Sequence, residues 1–110
     1  MLNIRNNEIY ITRGDSAYIQ IELVDDNGTV YTPVSGDKLY FRLKKSIFGN
    51  ALLLMKTINT QNMTLELTPS DTISLEFTSY RYEIELVTVD GNHFTVVNDK
   101  PFFVGVELES

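Results

Sequence analysis

The sequence predicts an all-β fold, a single antiparallel β-sandwich of about seven to nine short strands with one short helical turn. Three observations carry this. Segment after segment alternates apolar and polar residues with period two, as a sheet with one wet face requires. Turn chemistry recurs about every 8–12 residues. The composition favours strand formers, with six Tyr and six Phe beside many Ile, Val and Thr. At 110 residues and 43% hydrophobic content the chain is sized for one core, so residues 1–110 read as one domain without repeat or linker.

Glu8 to Thr12 (EIYIT) is the first alternating segment, and Arg13-Gly14-Asp15-Ser16 turns the chain. Ala17 to Val24 (AYIQIELV) reads as one strand, with Ala17, Ile19, Ile21 and Leu23 on one face and Tyr18, Gln20 and Glu22 on the other. Asp25-Asp26-Asn27-Gly28 ends it. Thr29 to Asp37 is a polar connection with Pro33 and Gly36, and Val30-Tyr31 offers a short edge strand. In Lys38 to Lys45 (KLYFRLKK), Leu39, Phe41 and Leu43 should point inward and Lys38, Tyr40, Arg42 and Lys44 outward.

After a loop at Ser46 to Asn50, Leu52 to Ile58 alternates weakly, and its Leu-Leu-Leu-Met run would also suit a helix. The β-branched tail and the loop at Asn59 to Asn62 favour a strand. Met63 to Thr68 alternates again, and Pro69-Ser70-Asp71 opens a helical turn through Leu75. Tyr80 to Thr88 (YRYEIELVT) should bury Tyr80, Tyr82, Ile84 and Leu86. Asp90-Gly91 suits a hairpin turn. Phe94 to Val97 and Phe102 to Leu108 complete the sheet, interrupted by Asn98 to Pro101, and the last segment is the expected free edge.

This pattern is that of an immunoglobulin-like sandwich. Tyr82 stands two residues before Ile84, the spacing of a tyrosine corner, with Ile84 and Ile21 or Ile19 where a disulfide would otherwise lie. The order of the punctuating motifs adds a resemblance. Ile11-Thr12-Arg13-Gly14-Asp15-Ser16, Asp25-Asp26-Asn27-Gly28, the Lys38 to Lys45 strand ending in two lysines, Leu67-Thr68-Pro69-Ser70-Asp71-Thr72, Tyr80-Arg81-Tyr82-Glu83-Ile84 and Asp90-Gly91 follow one another over residues 8–108. In this the chain resembles the small Ig-like domains encoded in prophages of Gram-positive bacteria, such as the N-terminal domain of phage baseplate upper proteins. The resemblance implies a structural or assembly role in a tail or baseplate. The expected partners are the chain itself, as a homo-oligomer, or other virion proteins. It implies synthesis in a bacterial cytoplasm and residence in a virion once assembled. The alternative is a carbohydrate- or cell-surface-binding module.

Composition narrows the remaining classes. There is no cysteine, which removes disulfides, thiolate metal sites and a cysteine nucleophile. A net charge of −6 is the wrong sign for a phosphate backbone, so nucleic acid is not expected as a partner. No stretch approaches the roughly 20 apolar residues of a membrane span, so no membrane is expected. Nor does the start, Met1-Leu2-Asn3-Ile4-Arg5-Asn6-Asn7-Glu8, have the apolar core of a signal peptide. The initial Met suggests a whole small reading frame or its N-terminal domain.

Several constellations could carry chemistry. Arg13-Gly14-Asp15 is the integrin tripeptide but also a turn. Asp25, Asp26, Asp90 and Asn92 sit in turns at one expected end of the sandwich and could offer oxygens to calcium, although their spacing matches no EF-hand. His93 is the sole histidine, and no nucleophile-elbow pattern surrounds Ser16, Ser35 or Ser74. Glu83 and Glu85 share a face, yet Lys38, Arg42 and Lys44 on the neighbouring strand should pair with them. The expectation is a non-enzyme without cofactor. Tyr18, Tyr31, Tyr40, Phe48, Phe94 and Phe103 include rings for outer faces, and Tyr18, Tyr40 and Phe103 are the candidate interface residues.

Overall fold

The computed structural model describes residues 3–4, 9–45, 52–75 and 79–105. The described strands are β1 (Asn3–Ile4), β2 (Ile9–Thr12), β3 (Ala17–Gln20), β4 (Leu23–Val24), β5 (Lys38–Lys44), β6 (Leu52–Ile58), β7 (Thr64–Leu67), β8 (Ser79–Val87) and β9 (His93–Gly105), with α1 (Pro69–Thr72) after β7. One sheet runs β2-β9-β8-β5-β6. Opposite it stand two small sheets, β3-β7 and β1-β4. The class is the one expected: an all-β sandwich with one helical turn.

Alternation sets both walls of the core. On β5, Leu39, Phe41 and Leu43 are wholly buried, and on β8 Tyr80, Tyr82, Ile84 and Leu86 are buried. Leu23, Leu65 and Leu67 join them from the smaller sheets, with Ile21 from the link between β3 and β4. Phe41, Tyr82 and Phe102 form an aromatic centre, with ring centroids 5.5 Å, 5.8 Å and 6.5 Å apart. Each such side chain contributes about 1.5–3 kcal/mol by burial. The cross-strand charge pairs outside contribute about 0.2–1 kcal/mol each, so the apolar faces decide the fold. Tyr82, Ile84 and Ile21 all lie in this core, as the immunoglobulin-like arrangement asks.

Four expectations need correction. Ala17 to Val24 is not one strand. At Ile21 the chain leaves β7: the Ile21 N–H donates to the Met63 carbonyl at 2.7 Å, and Leu23 and Val24 then pair with β1. Side chains keep alternating across the break, which is why the pattern looked continuous.

Nor is the last strand interrupted or an edge. β9 runs unbroken and lies between β2 and β8, so Phe102 to Gly105 is interior; Val106 to Leu108 lie outside the described residues. Pro101 sits inside this strand, opposite Arg81 on β8 and one residue before the described pairing with β2 begins at Phe102. A register shift, where Tyr82 pairs Lys100 but Ile84 pairs Val97, takes up an extra residue in β9.

The β2–β9 pairing is parallel, not antiparallel. With nearly the whole domain as the connection between them, these two strands have no turn to force the antiparallel sense. Finally, α1 stops at Thr72 rather than continuing to Leu75. Its start is as expected, with Pro69 in the first turn and the Asp71 carboxylate accepting the Thr68 N–H at 2.8 Å.

Candidate functional site

The three candidate interface residues do not converge. Tyr18 is 71% exposed on the outer face of β3. Tyr40 lies on the outer face of the five-stranded sheet, with the Arg42 guanidinium 5.8 Å from its ring centre. Phe103 stacks on Tyr10 at 4.7 Å. Tyr40 is level with Glu85 on β8 and Phe103 with Ser79, which separates them by about 20 Å along the strand. Phe48 lies outside the described residues.

The charged rows pair as expected. Arg42 Nη2 is 3.1 Å from Glu85 Oε1 and Lys44 Nζ is 3.5 Å from Glu83 Oε1. Burial raises the Glu85 pKa, but hydrogen bonds from Arg42 and His93 outweigh it and hold the carboxyl below its usual range. His93 is largely exposed, its Nδ1 3.4 Å from Glu85 Oε2. The Arg13-Gly14-Asp15 tripeptide is a tight turn with Gly14 at φ 84°, its N–H donating to Thr72 Oγ1 at 2.9 Å. Asp25 folds onto its own turn, accepting the Asn27 and Thr29 N–H groups at 2.9 and 3.0 Å. Asp90 lies in the separate hairpin turn closed by Thr88 and Asn92. Among the described residues no three His, Asp or Glu side chains cluster as a metal site would require.

The geometry worth most lies at the end of the sandwich where the β4–β5 connection meets the β8–β9 hairpin. A cleft of about 510 Å³ opens there, lined by Tyr31, Leu86, Phe94 and Val96 together with Asp25, Thr88, His93 and Thr95. That volume lies within the roughly 300–1,000 Å³ of small-molecule sites. Phe94 faces inward: it pairs with buried Leu86 and precedes buried Val96 by two residues. Yet it is 51% exposed, whereas the inward-facing rings Phe41, Tyr80, Tyr82 and Phe102 are buried.

Beneath the cleft sits a buried carboxylate, Asp37, 6% exposed. Its Oδ2 accepts the Tyr31 hydroxyl at 2.6 Å and the Val34 N–H at 3.0 Å, and its Oδ1 accepts the Val89 N–H at 3.2 Å. The Tyr31 hydrogen bond holds the Asp37 pKa down, with the two backbone donors, against the upward pull of burial. The same bond, with burial and the nearby negative charge, pushes Tyr31 up to about 12. Asp37 thereby ties the β4–β5 connection to the β8–β9 hairpin and fixes one cleft wall. Nothing in the sequence singles out Asp37, because a lone acid after Gly36 resembles any turn acid. Leu86 and Val96 read only as core. The one available sign was that Phe94 continues an inward row at a strand end.

Comparisons with known proteins support the fold and go no further. No protein-family model matches the chain. No curated protein matches it significantly. Among solved structures it is similar to the fibronectin(III)-like modules of Clostridium thermocellum CbhA, at 21% identity and TM-score 0.52, covering 99% of this chain and 100% of that one. Murine CRIg matches at 14% identity and TM-score 0.45, over 97% of this chain and 98% of that one. What the likeness shows is the fold, an Ig-like or fibronectin(III)-like β-sandwich.

Proposed function

We propose that this chain is a non-catalytic binding module that holds a surface-displayed carbohydrate in the end cleft. The observation that carries the reading is Phe94, an inward-facing ring left half uncovered beside Tyr31. Covering such a ring contributes on the order of 1.5–3 kcal/mol, which a ligand can recover. A sugar suits the lining because its C–H faces stack on aromatic rings such as Phe94 and Tyr31, with Asp25 and Thr88 beside them for its hydroxyls. The test is calorimetric titration of the full chain against a panel of oligosaccharides, with the variant Phe94→Ala alongside. Phe94→Ala should weaken binding about tenfold or more, in keeping with the value of a buried ring. No binding to any saccharide at millimolar concentration would sink the reading.

A second reading is a structural domain of a phage particle, made in a bacterial cytoplasm and packed against virion proteins. What supports it is the motif order shared with prophage Ig-like domains and the exposed outer rings Tyr10 and Tyr18, which suit subunit contact. Its test is mass spectrometry of purified particles from an induced host carrying this sequence. Absence of the chain from the particles would dispose of it.

A further inference from the structure

The end cleft has a charge preference that a neutral sugar leaves unused. Among the described residues it is lined by one carboxylate, Asp25, and by no lysine or arginine. The turn holds Asp25 in place, because its Oδ1 accepts the Asn27 and Thr29 N–H groups at 2.9 and 3.0 Å. Both bonds fall on the same oxygen, and Oδ2 has no hydrogen bond or ion pair among the described residues. His93, the lining residue able to carry positive charge, has its Nδ1 3.4 Å from Glu85 Oε2 and so belongs with the charged row outside the sheet. A second negative group lies behind Tyr31. Asp37 is met by neutral donors, the Tyr31 hydroxyl and two backbone N–H groups, with no cation against it among the described residues. Through the 2.6 Å bond its charge polarises the phenol and enriches the ring. Electron-rich rings attract cations, most strongly where water is excluded. The chain's net charge of −6 acts in the same sense at longer range.

We infer that the cleft selects an amino sugar: a hexosamine whose protonated free amine lies against Asp25 Oδ2 while its ring stacks on Phe94 and Tyr31. The inference rests on the carbohydrate reading and adds the class of sugar. The rings and the carboxylate line one cleft of about 510 Å³, so a saccharide seated there meets both. A neutral hexose or an N-acetylated hexosamine finds the same rings but brings no cation to Asp25 Oδ2. An acidic sugar meets Asp25 directly and Asp37 behind Tyr31, and is disfavoured by both. Positive charge is thus the property on which this lining discriminates between sugars of similar size.

The test titrates the whole chain calorimetrically with two oligosaccharides of equal length, a glucosamine tetramer and an N-acetylglucosamine tetramer. The pH is about 6, where a sugar amine carries its proton. The glucosamine tetramer should bind about tenfold more tightly or better, and the preference should shrink as salt rises. Asp25→Asn keeps an oxygen to accept the Asn27 and Thr29 N–H groups, so the turn survives. In that variant, its fold checked by circular dichroism, the two tetramers should bind within about twofold of one another. If the variant does not fold, the wild-type comparison still decides. A tetralysine peptide offers positive charge without a sugar ring and should bind far more weakly than the glucosamine tetramer. Equal binding of the two tetramers, or a preference for the acetylated one, would overturn the inference and leave the carbohydrate reading standing. A preference that survives Asp25→Asn, or tetralysine binding as tightly as glucosamine, would overturn it by assigning the gain to the chain's overall charge. Binding of neither tetramer, nor of any other saccharide, would bring down the carbohydrate reading and this inference together.

Discussion

Replacing Asp37 by Asn changes one oxygen to an amide and should be among the costliest isosteric changes in the domain. The carboxylate accepts three hydrogen bonds, two at Oδ2 and one at Oδ1. An asparagine has one acceptor oxygen. If that oxygen takes the Oδ2 position, the amide N–H₂ meets the Val89 N–H, donor against donor. If it takes the Oδ1 position, both Tyr31 and Val34 lose their acceptor. At least one buried N–H is stranded, at about 1–3 kcal/mol, and the surviving bonds lose their charge assistance. The total is about 2–4 kcal/mol, or a melting temperature lower by on the order of 10 °C for a domain of this size. Urea and thermal unfolding of the wild type and Asp37→Asn, followed by circular dichroism at neutral pH, measure it directly. The acid limb supplies a second readout. The folded pKa of Asp37 is depressed, so its stabilisation is complete above the ordinary carboxylate pKa of about 3.9 and is lost as pH falls through the folded value. The gap between the two proteins should therefore narrow below about pH 4. Stability within about 0.5 kcal/mol of wild type at pH 7 would refute the reasoning, as would a gap that stays constant into acid.

The other end of the same bond titrates in alkali. Tyr31 is raised to about 12 from 10.0, so its contribution is complete below pH 10 and lost as pH rises from there towards 12; Tyr31→Phe should remove that limb in an alkaline unfolding series. Gly36 sits at φ +97°, and a Cβ there would stand 2.6 Å from Val89 Cγ2, so Gly36→Ala should cost about 2–3 kcal/mol in denaturant melts. Gly28→Ala, with φ +82° but nothing within 4 Å, should cost only about 1 kcal/mol. On β5, Arg42→Ala removes an ion pair whose side chains are 25% and 21% exposed and should cost about 1 kcal/mol, whereas Phe41→Ala next to it should cost about 3–5 kcal/mol. Equal costs for the two would mean that the outer charge row, not the inner apolar row, fixes this strand.

What the sequence made legible is what period-two alternation encodes. Leu39, Phe41 and Leu43, and Tyr80 to Leu86, were placed on the correct face because inward and outward positions differ chemically at every step. The Arg42–Glu85 and Lys44–Glu83 pairs followed from the same faces. Partner choice was not legible. Ile21 changes neighbour without changing face, so the break between β3 and β4 leaves no mark in the pattern. Pro101 is an interruption in local terms, and nothing near it shows that β9 runs on through it between two neighbours. The cleft was hidden for a related reason. Phe94 obeys the inward rule, and its exposure depends on what stands across the cleft from it, which no residue near Phe94 specifies. Asp37 was hidden because its three donors, Tyr31, Val34 and Val89, come from two connections that meet only in the folded chain.

Those two hidden features bear on one another through Tyr31. Its ring walls the cleft while its hydroxyl is clamped to Asp37 at 2.6 Å. A ligand stacking on this ring meets a side chain already fixed, and so avoids the roughly 0.5–1.5 kcal/mol that ordering a free one would cost. Affinity in the cleft should then depend on a residue that need not touch the ligand. Asp37→Asn, assayed well below its melting temperature where the domain remains folded, should weaken saccharide binding severalfold by freeing the ring. Tyr31→Phe should do the same, although the aromatic surface it offers is unchanged. If instead Tyr31→Phe binds as tightly as wild type while Tyr31→Ala does not, the ring matters for its surface alone, and the Asp37 clamp serves stability without preparing the site.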